Sequence, residues 1–381
     1  MLQLLTDFWD YVVVFLIILT VVVFVHEMGH FLVARACGVR VLTFSIGFGP
    51  ELIGWTAKSG TRWKVSAVPL GGYVKMLGDA DAASTPDQDA AASLSEEEKR
   101  QTLQFKPVWQ RAAVVAAGPL ANFAFGILVL AGMFMGYGET RLPAVVGGVT
   151  PDSAAAEAGL QTGDRIILAN GEVVERFQDL QRIIALGLDQ PLSLTVRRGE
   201  QSLNILAHPR ISEVKDPFGN VHKRPLLGLR SDPDAAELVR HGPVSALSAA
   251  LRETSEMVGT TLTGIGQMLT GARTTEELGG PLRIAKGAGQ AAQLGVGSVV
   301  FYTILLSINL GMINLFPVPL LDGGHLLFYG IEALLGRPLG PKAQEYGFRL
   351  GLFLVFALML LATRNDLVDL KVWELLKGLI S

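Results

Sequence analysis

The feature that most constrains this chain is a group of polar residues inside an apolar run. From Tyr11 to Ala36 the sequence is almost continuously apolar, apart from His26-Glu27-Met28-Gly29-His30 near its end. The run exceeds the roughly 20 residues, at about 1.5 Å each, that a helix needs to cross a bilayer. An ionisable residue in hydrocarbon costs about 2.5–3.5 kcal/mol on an insertion scale. Three together call for a metal ion or a hydrated cavity; a polar patch for helix association is the alternative. His26 and His30 are four residues apart, which puts both imidazoles on one helix face, one turn apart. Both can reach one Zn2+, with Glu27 beside them to take a proton from bound water. Zinc lowers the pKa of such a water from about 16 to about 7, which makes a nucleophile at neutral pH.

Composition agrees with a membrane setting. Half of the 381 residues are hydrophobic and only 18% are charged, against about 25% in soluble domains. The net charge of -3 offers no basic surface for nucleic acid. One cysteine, Cys37, excludes an intrachain disulfide and a cysteine-based zinc site. Asp7 and Asp10 stand where a signal peptide would carry basic residues, so the first apolar run reads as an uncleaved span. Three further runs are long enough to cross: about Trp109–Met135, about Val299–Phe316 with a broken continuation, and about Phe348–Ala362. Lys and Arg crowd the stretch Arg35–Arg111 and recur in Arg337–Arg349, which places those loops in the cytoplasm. Both termini and the long middle segment then fall outside. His26 lies roughly 13–15 Å below the cytoplasmic interface marked by Arg35.

The first loop alternates apolar and polar residues over Val41–Met76 and is broken by glycines, which predicts short strands with hairpin turns. Asp79–Ala92 is rich in Asp, Ala and Ser and reads as mobile, followed by a short capped helix at Ser95–Gln101. The middle segment has soluble patterning: strands at Val145–Val149 and before Asn170-Gly171, a helix over Phe177–Leu186, and a hairpin of Leu192–Val196 with Leu203–Leu206. With Gly159-Leu160-Gln161-Thr162-Gly163-Asp164, this order resembles a circularly permuted PDZ domain. Such domains bind an extended peptide as an added strand. Val244–Gly271 reads as an amphipathic helix on the membrane surface.

Two histidines do not complete a catalytic zinc site, which takes three protein ligands and one open position. His208, His222 and His241 fall on the outer side. The third span offers Asp322 and His325, after Pro317 and Pro319 have broken the helix and let the chain turn inward. Asp322 is the expected third ligand and His325 its competitor. Asn122, in Gly118-Pro119-Leu120-Ala121-Asn122, is another buried polar residue that fits either a cavity wall, a ligand support or helix packing.

Taken together, these motifs resemble the site-2 protease family of intramembrane zinc metalloproteases, in the bacterial branch that regulates sigma-E. The resemblance rests on His26–His30, Gly47-Phe48-Gly49, Gly71-Gly72-Tyr73-Val74-Lys75, Leu278-Gly279-Gly280-Pro281 and the pattern Asn314-x-x-Pro317-x-Pro319-x-x-Asp322-Gly323. It covers nearly the whole chain, which has room for one PDZ-like domain where the best-known members carry two. It implies that His26, His30 and Asp322 bind Zn2+ and that Glu27 is catalytic. It further implies that Asn309 and Asn314 hold an unwound substrate, and that the strand at Gly71, Gly72 and Tyr73 presents it.

The expected fold is therefore a polytopic α-helical membrane protein with four transmembrane helices. It adds a cytoplasmic-side, membrane-associated β-hairpin region and one periplasmic PDZ-like α+β domain. Its expected parts are a first span (1–38), a cytoplasmic loop with membrane-dipping strands and a mobile acidic stretch (39–106), and a second span (107–138). The PDZ-like domain (139–232), an amphipathic surface linker (233–296), a broken third span (297–336) and a last loop, fourth span and tail (337–381) follow. The implied location is the bacterial inner membrane, multi-pass, with both termini periplasmic. The implied partners are the lipid bilayer and a single-span membrane protein. Such a substrate is an anti-sigma factor already cut by a periplasmic site-1 protease, or a remnant signal peptide. The competing readings are a non-proteolytic scaffold that binds peptides through the PDZ-like domain, and a metal transporter.

Overall fold

The computed structural model describes residues 2–79, 94–187, 190–215, 221–272, 274–275 and 278–369. The acidic stretch Asp79–Ala92, apart from Asp79 itself, and the tail beyond 369 lie outside them. The chain divides into two compact units, 1–130 with 275–381, and 131–274.

The first unit begins with helix α1, Leu2–Ala36, whose stretch Tyr11–Ala36 is long and apolar enough to cross a membrane. It stops in a glycine cap. Gly38 has φ +68, its N–H reaches Arg35 O at 3.0 Å, and the Val39 N–H reaches Ala34 O at 2.9 Å. This pattern satisfies two of the last carbonyls and turns the chain sharply. Strands β1, Val41–Thr56, and β2, Arg62–Met76, follow at once. Each run bends, so the pairing is that of four short segments, as the glycine-broken alternation predicts. Val41–Ile46 pairs antiparallel with Gly72–Met76 on one side. On its other side it takes Arg62–Val65, whose register ascends in step with its own from Thr43↔Arg62 to Ile46↔Val65. Arg62–Val65 in turn pairs antiparallel with Ile53–Thr56. An aromatic cluster fixes this sheet to α1. Phe44 is 1% exposed, stacks on Trp63 at 4.4 Å, and meets Phe24 and Phe31 of α1 edge-on at 5.8 and 5.7 Å. Helix α2, Glu96–Arg100, carries a complete capping box from Ser95 and Glu98. Helix α3, Val108–Gly136, is the second candidate span.

The second unit holds the soluble patterning. Its strands are β3 Glu139–Arg141, β4 Val146–Val149, β5 Arg165–Ala169, β6 Glu172–Val173, β7 Leu192–Arg198, β8 Gln201–Ala207, β9 Arg210–Lys215, β10 Val221–Leu226, β11 Leu229–Ser231 and β12 Glu237–Val239. Its helices are α4 Ala154–Glu157, α5 Phe177–Gly187 and α6 Pro243–Leu269. A four-stranded sheet runs β6-β5-β7-β8, and β4–β11, β3–β12 and β9–β10 form pairs. The Asn170-Gly171 turn has φ +50 and +81, the signature of the two-residue hairpin expected there. Val146, Ile166, Leu180 and Leu194 are fully buried in its core. Asp164, at the end of the Gly-Leu-x-x-Gly-Asp turn, accepts two hydrogen bonds from Arg198 at 2.7 Å and one from the Gln161 N–H at 2.8 Å. Burial opposes its charge, yet these donors hold its carboxyl below the usual aspartate value.

The chain then returns to the first unit. The segment 233–296 holds β12, α6 and a further helix, α7 at Pro281–Gln293, which belongs to the first unit. Ala288 of α7 packs fully buried against Ile18 and Val22 of α1. The start of α7 is capped from far along the chain. Asp366 accepts from the N–H groups of Gly280, Leu282 and Arg283 at 2.8, 3.0 and 3.1 Å, which satisfies the orphan donors of a helix start. Helix α8, Val296–Asn314, is the third candidate span. Non-helical backbone over Leu315–Leu321 separates it from α9, Asp322–Leu335. Helix α10, Pro341–Asp369, contains the fourth candidate span, Lys342–Val368. The four apolar helices expected from hydropathy are thus present, and the third stretch ends where the prolines begin.

Candidate metal centre

Helical spacing puts His26 and His30 on one face of α1, and α3 fixes His30. Its Nδ1 lies 2.9 Å from the Val114 carbonyl oxygen; a carbonyl only accepts, so Nδ1 carries the proton and Nε2 keeps a free lone pair. The two helices approach closely enough that side chains are excluded at two glycines. A Cβ at Gly29 would lie 2.3 Å from Ala117 O, and one at Gly118 would lie 2.2 Å from His30 Nε2. The His26 and His30 rings meet edge-on at 4.8 Å, with their Nε2 atoms 3.2 Å apart.

The broken segment delivers Asp322 to the same point. Val318 and Leu321 close a turn, with the Leu321 N–H 3.0 Å from Val318 O. Pro319 and Leu320 are its central residues. Leu320 has φ +104, a conformation usual for glycine at that place in a type II turn. Asp322 then opens α9, and its Oδ2 lies 3.1 Å from His26 Nε2 and 3.6 Å from His30 Nε2. Those three atoms belong to a group within 4.8 Å of one another, and Asp322 Oδ2 is buried with no well-aligned hydrogen-bond donor among the described residues. Ligands about 2.0–2.2 Å from a tetrahedral zinc stand about 3.3–3.6 Å from each other. The separations of 3.1, 3.2 and 3.6 Å therefore match three corners of a zinc site.

Around this point lies a cavity of about 250 Å³, lined among others by Glu27, Gly72, Tyr73, Asn314, Leu320 and His325. Glu27 follows His26 directly, and its Cγ stands 3.1 Å from where a Cβ at Gly72 would sit. Asn314 Nδ2 is 3.4 Å from His26 Nε2. His325 lines the cavity, packs its ring on Phe348 at 5.3 Å, and is not among the converging donors. The segment Gly72–Met76 pairs with Val41–Ile46 on one edge, and no described strand pairs with its other edge. Four of its residues, Gly72, Tyr73, Val74 and Met76, line the cavity. Asn309 and Gly71 are not among the lining residues; Asn309 is five residues, about 7.5 Å, back along α8 from Asn314.

Several contributors were not singled out from sequence. The Val114 carbonyl has no side-chain signal to announce it. Arg111 of α3 donates to both carboxylate oxygens of Glu332 at 3.0 and 2.5 Å, and its guanidinium stacks 4.9 Å over Tyr329, a cavity residue. That pair ties α9, which starts at Asp322, to α3. Its signal is a single charge at the border of each apolar run, 221 residues apart.

The model of peptidase family M50 matches residues 14–358. A relative from Agrobacterium fabrum, Atu1380, whose name assigns it provisionally to the zinc metalloproteases, is 46% identical over 362 residues, which are 94% of this chain and 96% of the relative. The metalloprotease MmpA of Caulobacter vibrioides is 38% identical over 388 residues, 96% of this chain and 97% of its own. Among solved structures, the PDZ domain of an SdrC-like protein from Listeria monocytogenes is similar at 20% identity and a TM-score of 0.20. It covers 25% of this chain and 94% of that domain.

Proposed function

We propose, for a chain that belongs to peptidase family M50 and is a zinc metalloprotease, that it cuts a peptide bond within or near the transmembrane segment of a single-span membrane protein. The observation that carries this reading is the convergence of His26, His30 and Asp322 on a cavity that also holds Glu27 and the strand segment Gly72–Val74, whose outer edge pairs with no described strand, all on or beside helices able to span a membrane. In this reading His26, His30 and Asp322 hold the zinc through Nε2, Nε2 and Oδ2. The metal, when bound, supplies Lewis acidity that polarises the scissile carbonyl and lowers the pKa of a coordinated water. Glu27 takes the proton from the attacking water and returns it to the amine that leaves as the C–N bond breaks.

A helical substrate hides its peptide groups in its own hydrogen bonds, so it must unwind before attack. In hydrocarbon the freed N–H and C=O groups need new partners. The outer edge of Gly72–Val74, which pairs with no described strand, offers backbone donors and acceptors to an added strand. The Asn314 amide offers a further donor and acceptor beside His26. Asn309 belongs to the same proposed role by family resemblance, one and a half turns farther along α8. An anti-sigma factor trimmed outside the membrane, or a remnant signal peptide, is the substrate class we propose. The bacterial inner membrane is the proposed location, with the sheet of β1 and β2 on the cytoplasmic side and both termini and the second unit on the other.

The test is Glu27→Gln in proteoliposomes with a single-span reporter. Loss of a general base predicts cleavage slower by roughly 10²–10⁴-fold with zinc still bound. Cleavage at the wild-type rate would remove Glu27 from the mechanism.

A further inference from the structure

Asn122 of α3 is fully buried, and its backbone carbonyl accepts from Ser307 Oγ of α8 at 3.1 Å. Its side-chain amide stands 3.3 Å from His26 Nδ1, while its Oδ1 is buried without any donor among the described residues. An unsatisfied carbonyl oxygen is costly enough to demand an explanation. The neighbouring histidine suggests one. His30 donates from Nδ1 to the Val114 carbonyl, which leaves Nε2 with a free lone pair on the side of Asp322. His26 presents the same Nε2 to the same point, 3.1 Å from Asp322 Oδ2. A ring nitrogen that binds a cation must offer a lone pair, so the other nitrogen carries the proton and needs an acceptor. The two ends of an amide have the same shape. Turned so that Oδ1 faces the ring, Asn122 accepts from His26 Nδ1–H, and the orphaned oxygen has its donor.

We infer that Asn122 is a positioning residue whose amide oxygen accepts from His26 Nδ1–H and so fixes the tautomer that aims Nε2 at the metal. The inference rests on the reading of His26 as a zinc ligand and adds to it a specific acceptor on a different helix. A packing role would ask only for volume. An acceptor role asks for an oxygen at one atom, and the two demands separate cleanly by substitution.

The experiment measures zinc affinity by chelator competition on the full chain in detergent micelles, for Asn122→Leu, Asn122→Asp and His26→Ala. Asn122→Leu keeps the bulk and removes the acceptor, so zinc binding weakens by about 10- to 100-fold. Asn122→Asp keeps shape and acceptor, so binding is at least as tight as in the wild type, with the same Co2+ absorption spectrum. Packing alone gives the opposite order, with leucine tolerated and the buried carboxylate harmful. Leucine equal to or tighter than aspartate overturns the inference. Should Asn122→Leu not fold, Asn122→Ala takes its place; wild-type affinity in that variant overturns the inference equally. His26→Ala tests the underlying reading separately. If it keeps wild-type affinity, the ligand assignment fails, whatever the Asn122 variants do.

Discussion

Gly118→Ala is the smallest change that should empty the metal centre while leaving the fold in place. A Cβ there would lie 2.2 Å from His30 Nε2, 2.5 Å from Cε1 and 2.8 Å from Cδ2. Ordinary carbon contacts need about 3.5 Å, so the ring or its helix must retreat by roughly 1 Å or more. The ring cannot swing freely, because its Nδ1 is held 2.9 Å from Val114 O. The helices cannot close up elsewhere, because Gly29 already abuts Ala117 O. Zinc ligands tolerate only about 0.2 Å of error in distance. A displacement several times larger should weaken zinc binding by at least about 100-fold, which is about 2.7 kcal/mol. Fold stability should change by less, about 0–2 kcal/mol. Overpacking costs about 1–3 kcal/mol, and replacing glycine inside a helix returns about 1 kcal/mol. Calorimetric titration of the metal-stripped protein with Zn2+, beside thermal melting by circular dichroism, separates the two effects. Gly132→Ala is the control, since a Cβ there meets nothing within 4 Å in the same helix. It should bind zinc normally. Wild-type zinc affinity in Gly118→Ala would refute the placement of His30.

Two further outcomes follow from ion pairs. Glu332→Gln breaks a bidentate pair whose side chains are 15% and 13% exposed. It leaves Arg111 uncompensated and should cost about 3–5 kcal/mol in chemical denaturation; a loss below about 0.5 kcal/mol would show that the pair does not hold α9. Asp164 gives the acid limb of the second unit. Its folded value lies below the ordinary aspartate value of 3.8, because the Arg198 hydrogen bonds outweigh burial. Its contribution is therefore complete above that value and disappears as pH falls through the lower folded one. Arg198→Met should flatten the stability of the wild type against pH in this range, and unchanged curvature would deny Asp164 the role.

How far the sequence reaches depends on how local the signal is. His26, Glu27 and His30 were legible because one helical turn sets their geometry. Asp322 was legible as a candidate because Pro317 and Pro319 break the third apolar run just before it. The Asn170-Gly171 hairpin was legible from two residues whose φ is positive. Helix α7 was not, since Ala285-Lys286-Gly287-Ala288-Gly289 carries no large apolar side chain and reads as part of the amphipathic surface linker. Its small residues matter only against a partner: a Cβ at Gly289 would overlap the Tyr11 ring, 1.8 Å from Cδ1. The Leu278-Gly279-Gly280-Pro281 run did carry a helix-start signal in its proline, but the capping Asp366 lies at the end of the last helix. Asn122 was visible as a buried polar residue, but the sequence offered no way to place it opposite His26 rather than in a helix contact. The side-by-side pairing of Thr43–Ile46 with Arg62–Val65 has no local code either, and follows from the aromatic packing of Phe44 and Trp63 on α1.

The central claim is that three residues from two distant parts of the chain make one zinc site. Zinc content of the purified protein, measured side by side for His26→Ala, His30→Ala, Asp322→Ala and His325→Ala, tests it most directly. The geometry predicts about one zinc per chain in the wild type and in His325→Ala, and loss in the other three. Full zinc content in Asp322→Ala together with loss in His325→Ala would contradict it, and would make the competitor the third ligand.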